Sequence, residues 1–375
     1  MRQPRGKAQH LTMPGHLFRS LDELPATYVE LMETAGRENL YYSGAWFRNL
    51  IATTTDPGDE VLLFGVVDDD GLAQALFIAR RKPGSGILGS RTLETFANFY
   101  TMIAGPIVRP GDDRLEDTLR ELIGTVRRNF PAGQILSFPS MDPASTVFPA
   151  LIDALSASGF LVRQTFGFGN WYEPTEAIGY AAYRDSLSSR TRNTIGRRTR
   201  KLEREHDVRY LMTDGGDGFD EAFLAYRQIY ENSWKIPEAY PDFISGFLKA
   251  CIAIGALRLG VLFVDGEPAA AQIWTICNGE ATIYKLAYDE KFQNLSAGTV
   301  LTARMMEDVL EKDRPREIDY GFGDDPYKKE WTRHRRERKN LIAFRRATPA
   351  GALAAAGFIS RQLASTLRDR LRPTA

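Results

Sequence analysis

At 375 residues, with 43% hydrophobic and 26% charged side chains, the chain is long enough for two domains that each bury a core. Lys+Arg and Asp+Glu both number 48, so net charge singles out neither nucleic acid nor a membrane surface as the partner. Two cysteines in apolar surroundings, Cys251 and Cys277, read as reduced core residues and exclude a disulfide framework. Four scattered histidines lack ligand spacing, so no metal is assigned. No run of about 18 apolar residues predicts a membrane span. The basic start, MRQPRGKAQHLTMPGH, lacks the apolar stretch of a signal peptide. A cytoplasmic location is therefore expected.

In chain order, residues 1–17 are expected to be disordered. Asp22 to Thr34 reads as a helix, and Ser43 as the N-cap of a short helix carrying Trp46, Phe47 and Leu50. Glu60 to Val67 and Leu72 to Arg80 read as a hairpin around Asp68-Asp69-Asp70-Gly71. Arg81 to Arg91 is loop-like, and Ala97 to Val108 extended. A helix from Asp113 to Phe130, a strand from Gln134 to Phe138, a helix from Thr146 to Ser158 and a strand from Leu161 to Tyr172 follow.

The same order then recurs. Gly179 to His206 reads as one helix, followed by a strand from Val208 to Met212. Helices cover Asp217 to Trp234 and Asp242 to Ala253. A hairpin of Leu257 to Val264 and Ala269 to Cys277 turns at Asp265-Gly266, and Glu280 to Asp289 forms the next strand. The near-constant offset between the two units suggests a tandem duplication of one α/β domain. The expected division is a first domain over 18–175, a second over 176–348 and a terminal helix over 349–375.

The richest stretch lies in the second unit, from Gln293 to Trp331. The loop Glu290 to Gly298 ends in Ser296, Ala297 and Gly298, and a helix runs from Thr299 to about Glu311. Free N–H groups and the positive dipole end at a helix start suit a pyrophosphate, which small residues let approach the backbone. A short strand, Glu317 to Tyr320, then enters Gly321-Phe322-Gly323-Asp324-Asp325-Pro326-Tyr327-Lys328-Lys329-Glu330-Trp331. Asp319 on an apolar strand must be paired or shifted in pKa, so it is either a base or one end of a salt bridge. Tyr327 or Lys328 beside a carboxylate makes an acid/base pair, and Trp331 either meets substrate or fills the core.

Gln293-Asn294-Leu295-Ser296-Ala297-Gly298 resembles the pyrophosphate loop of GNAT acyltransferases, Gln/Arg-x-x-Gly-x-Gly/Ala, with Ser296 at the first glycine. The basic helix LSSRTRNTIGRRTRKLERE (187–205), the hairpin DGEPAAA and the run DYGFGDDPYKKEW make the whole similar to the FemAB-like branch. That branch has two GNAT-type domains in tandem and serves bacterial cell-envelope and exopolysaccharide pathways. The resemblance implies an α/β (α+β) fold of two GNAT-like domains, each a mixed, mostly antiparallel sheet flanked by helices. It implies transfer of an acyl group, acetyl above all, from acyl-CoA to an amine on a small molecule or a glycan or peptide precursor. The runner-up is an aminoacyl-tRNA-dependent peptidyltransferase. The third reading is a non-catalytic partner in exopolysaccharide biosynthesis.

On this reading Asp319 or Asp324 is the base and Tyr327 the acid, with Tyr284 lining the site. Leu286 and Tyr288 run beside pantetheine. Gln293, Ser296, Ala297, Gly298 and Thr299 hold the pyrophosphate, and Lys328 and Trp331 face the acceptor. Seven basic residues between Arg190 and Arg204 form either a solvated face or a seat for a CoA 3′-phosphate or a tRNA acceptor stem. The Ala-rich helix from Pro349 carries Leu353, Phe358, Ile359, Leu363 and Leu367 with several arginines. It is expected either to pack on the domain or to lie weakly on an anionic inner-membrane surface.

Overall fold

The structure is a computed structural model that describes residues 13–83 and 92–371. Its strands are β1 (Gly15–Phe18), β2 (Glu60–Val67), β3 (Ala73–Arg81), β4 (Thr92–Thr95), β5 (Ile107–Val108), β6 (Ile135–Met141), β7 (Phe160–Pro174), β8 (Val208–Thr213), β9 (Leu257–Val264), β10 (Glu267–Cys277), β11 (Glu280–Tyr288), β12 (Glu317–Phe322) and β13 (His334–Arg345). Its α-helices are α1 (Ala26–Glu38), α2 (Gly44–Thr54), α3 (Leu115–Asn129), α4 (Val147–Ala157), α5 (Tyr180–Ser186), α6 (Ser189–Glu205), α7 (Phe219–Glu231), α8 (Phe243–Ala253), α9 (Ala297–Lys312) and α10 (Pro349–Leu371).

Most of these elements lie where the apolar periodicity puts them. Ser43 caps α2 by accepting from the Trp46 N–H at 3.1 Å. Four differences have local causes. Gly15–Phe18, expected to be disordered up to Leu17, pairs with β2; the disorder expected for residues 1–12, and most of the loop expected before Arg91, lie outside the described residues. The single helix expected from Gly179 breaks at Leu187, because Ser188 caps α6 by accepting from the Thr191 N–H. Ala97 to Gly105 is a loop instead of a strand. Finally, alternation in the sequence predicts a last strand over Lys339 to Arg346, but β13 already starts at His334, five residues earlier; its basic letters hid it.

All thirteen strands among the described residues belong to one mixed sheet, in the order β1-β2-β3-β4-β6-β13-β7-β12-β11-β10-β9-β8, with β5 beside β3. The two halves repeat each other within it. The strands β4 and β6 are parallel, as are β11 and β12. The final strands are exchanged. β13, from the second half, pairs antiparallel with β6 of the first, and β7, from the first half, pairs antiparallel with β12 of the second. β7 and β13 pair along twelve registered positions at the centre. The expected boundary at 175/176 therefore cuts a joint sheet.

Each half keeps a core of its own. Phe64, Phe77, Phe138 and Leu151 pack under α3 and α4. Trp274 and Ile318 pack with Leu301 and Met306 of α9. A third core is shared: Trp46 of α2 meets Phe243 and Phe247 of α8 edge-on at 5.7 Å each. Full burial of such a side chain stabilises by roughly 1.5–3 kcal/mol, so this seam fixes the two halves to each other.

Candidate active site

The parallel pair β11 and β12 bonds only over Glu280–Thr282 and Glu317–Asp319. Beyond these residues the strands diverge. From Tyr284 onward β11 keeps β10 on one side and has no strand of the described residues on the other. Tyr284 is also the extra residue of a β-bulge, since Ile273 faces Lys285 while Trp274 faces Ile283. Bulges of this kind re-aim side chains at functional sites.

The divergence opens a cleft of about 400 Å³. Tyr284, Lys285 and Leu286 of β11 form one wall, and Phe322, Tyr327 and Lys328 the other. Trp234 and Lys235, from the loop between α7 and α8, close one end. The loop after β4 crosses from the first half and contributes Phe99, Tyr100 and Met102. Tyr100 stacks on Phe243 at 3.8 Å, and its carbonyl accepts from the Tyr284 hydroxyl at 3.2 Å. Tyr284 thus lines the cleft as expected, but its hydroxyl is committed to holding the two halves together.

Charge in the cleft is mostly cationic. Glu238 accepts from Lys285 at 2.6 Å and from the Tyr100 hydroxyl. Burial works to raise the Glu238 carboxyl, yet Lys285 and Tyr100 hold it below the usual carboxylate range. Lys235 has no such ion-pair partner among the described residues, and burial together with the nearby Lys285 pushes its ammonium down. Tyr327 is 37% exposed; burial and Asp325 push its phenol up, so it stays a hydrogen donor.

Several residues expected in the site are used elsewhere. Asp319 is 3% exposed and accepts from Arg336 and Asn170, each at 2.7 Å, and from the Gly321 N–H at 2.6 Å. Three donors and the Arg336 charge hold it, and it faces away from the Ile318 and Tyr320 side of β12. Asp324 forms a two-point pair with Arg335 (2.7 and 2.8 Å) and accepts from Trp171 Nε1 at 2.9 Å. Arg335 above all holds its carboxyl down at about 2, too weakly basic for the role expected. Lys328 lines the cleft, but its Nζ donates to the carbonyls of Phe322 (2.7 Å) and Gly323 (3.0 Å). It ties the loop instead of meeting an acceptor. Trp331 is 5% exposed in the second-half core, which removes it from the substrate-facing set.

The expected cradle lies at the far end of the open edge of β11. Gln293 is exposed in a short 3-10 turn, and its carbonyl accepts from the Ser296 N–H at 3.1 Å. Ser296 adopts φ +59° and leads into α9. The first bond of the helix is donated by Val300 to the Ser296 carbonyl at 3.1 Å. The N–H groups of Ala297, Gly298 and Thr299 precede it and belong to the open first turn. Tyr288 packs on Trp234 at 4.3 Å beside this turn. A Cβ on Gly298 would stand 3.3 Å from the Tyr288 ring.

Sequence reasoning missed Lys235, Lys285, Glu238 and Tyr100. The dipeptide Trp234-Lys235, set in a loop between two helices, was the available signal; Tyr100 reaches the cleft only through the fold.

Residues 189–329 match the family model described as acetyltransferase (GNAT) domain. No curated protein matches the chain in sequence. Among solved structures, FemX superposes with a TM-score of 0.59 at 11% identity, over 85% of this chain and 96% of FemX. A C-terminal domain from Agrobacterium fabrum, assigned to a lysylphosphatidylglycerol synthetase, gives 0.50 at 14% identity, over 87% of this chain and 95% of that one. A protein of unknown function from Bacteroides thetaiotaomicron gives 0.51 at 12% identity, over 89% and 100%. The second half thus carries a match to an acetyltransferase (GNAT) domain, the first half repeats its strand order, and the fold of the whole is similar to that of FemX.

Proposed function

We propose that the protein is an acyltransferase that moves an acyl group, acetyl in the simplest case, from a CoA thioester to an amine. One observation carries the reading: the open edge of β11 joins the cleft at Tyr284 to the first turn of α9. An extended amide-bearing arm can pair with that edge while its pyrophosphate meets the helix start. The acceptor enters past Phe99 and Phe322, which also border a second opening at the β4/β6 divergence.

In the cleft the amine attacks the thioester carbon. Its proton passes to Lys235, whose neutral form burial favours. Tyr327 protonates the departing thiolate, and proton exchange between Lys235 and Tyr327 resets the pair. The products are an amide and a free thiol. A second reading, with aminoacyl-tRNA as donor, draws on the exposed arginines of α6. The likeness to a domain assigned to a lysylphosphatidylglycerol synthetase supports an acceptor in the cell envelope. Weak peripheral attachment through α10 belongs to the same reading: Leu353 and Leu363 are exposed, while Ala354, Ala355 and Phe358 pack against Phe344. No helix among the described residues is long and apolar enough to cross a membrane.

Gly298→Glu tests the donor placement. It puts a side chain against Tyr288 and a negative charge into the first turn of α9. Acetyl-CoA affinity, measured by calorimetry on protein whose circular dichroism is unchanged, is expected to fall by at least about tenfold. Unchanged affinity overturns the placement.

A further inference from the structure

A cavity of about 520 Å³ lies at the start of β11, away from the Tyr284 cleft, and shares no lining residue with it. Two of its walls come from the first half: α1 and the start of α2. The second half completes it with the end of β10 and with Ile254, just after α8. Its volume is that of a small-molecule site. Bonds between the halves fix its walls. Cys277 Sγ donates to the carbonyls of Gly36 and Arg37, both at 3.6 Å, and Asn278 Nδ2 donates to the Glu38 carboxylate at 2.7 Å.

The apolar part of the lining is aliphatic. Leu24 and Met32 are buried, Val29 and Ile276 are half-buried, and Ile254 is 50% exposed. No aromatic ring of the described residues lines the cavity. An alkyl chain fills such a space, whereas a nucleobase or another flat ring finds nothing to stack on. The charged part of the lining is open to a partner. Arg37, Arg48 and Glu33 are all exposed, and none has an ion-pair partner among the described residues. Arg48 folds back along the wall, with Nη2 standing 3.5 Å from where a Cβ on Gly44 would be. One positive charge is in surplus, so a head group that completes the site carries one negative charge.

We infer that this cavity binds an aliphatic monocarboxylate, with its chain against Met32, Ile254 and Ile276 and its carboxylate on Arg37 and Arg48. Apolar burial holds the chain, and charge-assisted hydrogen bonds hold the head. Because both halves line the cavity, the bound carboxylate ties α1 and α2 to the turn between β10 and β11 and stabilises the folded chain by mass action. No bond is made or broken at this site, and the inference does not depend on the acyl-CoA reading of the cleft.

Calorimetry on the full chain tests it, with octanoate, 1-octanol and octyltrimethylammonium as probes. Octanoate is expected to bind about tenfold or more tighter than octanol, and octyltrimethylammonium to show no binding. The double variant Arg37→Gln/Arg48→Gln, at two exposed positions, is expected to lose the preference for octanoate over octanol. Cys277 reports the location, since it lines the cavity while Cys251 is fully buried. Saturating octanoate is expected to slow alkylation of Cys277 by iodoacetamide at least about fivefold, and Ile254→Glu to abolish that protection. Absence of saturable octanoate binding overturns the inference. So does equal affinity for octanoate and octanol, a preference that survives in the double variant, or binding that leaves the alkylation rate of Cys277 unchanged. None of these outcomes bears on acetyl-CoA affinity, which is measured separately on the same chain.

Discussion

Arg336 reaches from β13 across β7 to bond Asp319 on β12 at 2.7 Å, and the same guanidinium bonds Glu317 at 2.6 Å. It also donates to Asn170 on the intervening strand at 2.6 Å. Asp319, Glu317 and Glu280 bring their carboxylates within 4.8 Å of one another at the only bonded stretch of β11 and β12. The arginine supplies the positive charge that this crowding needs. Asp319 is therefore a structural ion-pair member at the foot of the cleft. Replacing it with Ala leaves the half-buried guanidinium underpaired. We expect a loss of about 3 kcal/mol in urea unfolding, with acetyl-CoA affinity of the folded fraction unchanged. A loss under 1 kcal/mol would show that the pair is not holding the strands.

Glu280 gives the same cluster a pH signature. Burial first, and Asp319 next, push its carboxyl up to about 7. A carboxyl raised in the folded state contributes stability that is present below its ordinary value and is lost as pH rises through about 7. Glu280→Gln mimics the protonated form. It should stabilise the protein at pH 8 by about 1–2 kcal/mol and change little at pH 5. Denaturant melts at both values check this; equal effects at the two would refute the assignment.

Tyr327→Phe removes the proposed acid and leaves the ring. The turnover number should fall by about 10²–10⁴-fold, with acetyl-CoA affinity retained. Asp324→Asn is expected to leave turnover within a few-fold, because Arg335 already holds that carboxylate out of base chemistry. Its pair is 44% exposed on the Asp324 side, so the stability lost should be under about 1 kcal/mol. A large kinetic effect at Asp324 with none at Tyr327 would reverse these roles.

Lys235 predicts a rising pH–rate profile. Its depressed ammonium becomes neutral, and so basic, as pH increases. Lys235→Arg should abolish that limb, since a guanidinium stays protonated throughout. An unchanged profile in the Arg variant would assign the proton to solvent.

Much of the fold was legible because burial leaves a period in the letters. β9 and the start of β11 fall where alternation puts them, and α9 extends its expected span by two residues at the start and one at the end. The proposed donor end rests on a similar signal, since small residues before an apolar helix are read locally. The acceptor end was not legible. Tyr100 and Glu238 lie 138 residues apart in sequence and meet only because a loop of the first half crosses onto the second. Asp319 looked catalytic because a lone carboxylate on an apolar strand is costly. Its partner Arg336 sits in a run so basic, His334 to Lys339, that nothing in the letters announced a strand.

The exchange of β7 and β13 has a consequence for how the molecule is assembled. The first half cannot close its sheet with its own residues: beside β6 it needs β13, and Phe344 there pairs with Ile135, more than two hundred positions earlier. Synthesis in order from the first residue therefore leaves β6 with an uncovered edge until almost the whole chain has emerged. Such long-range pairing slows folding and exposes a strand edge to wrong partners meanwhile. Splitting the gene between the repeats would yield two fragments that each lack an interior strand, and neither would be a freestanding domain.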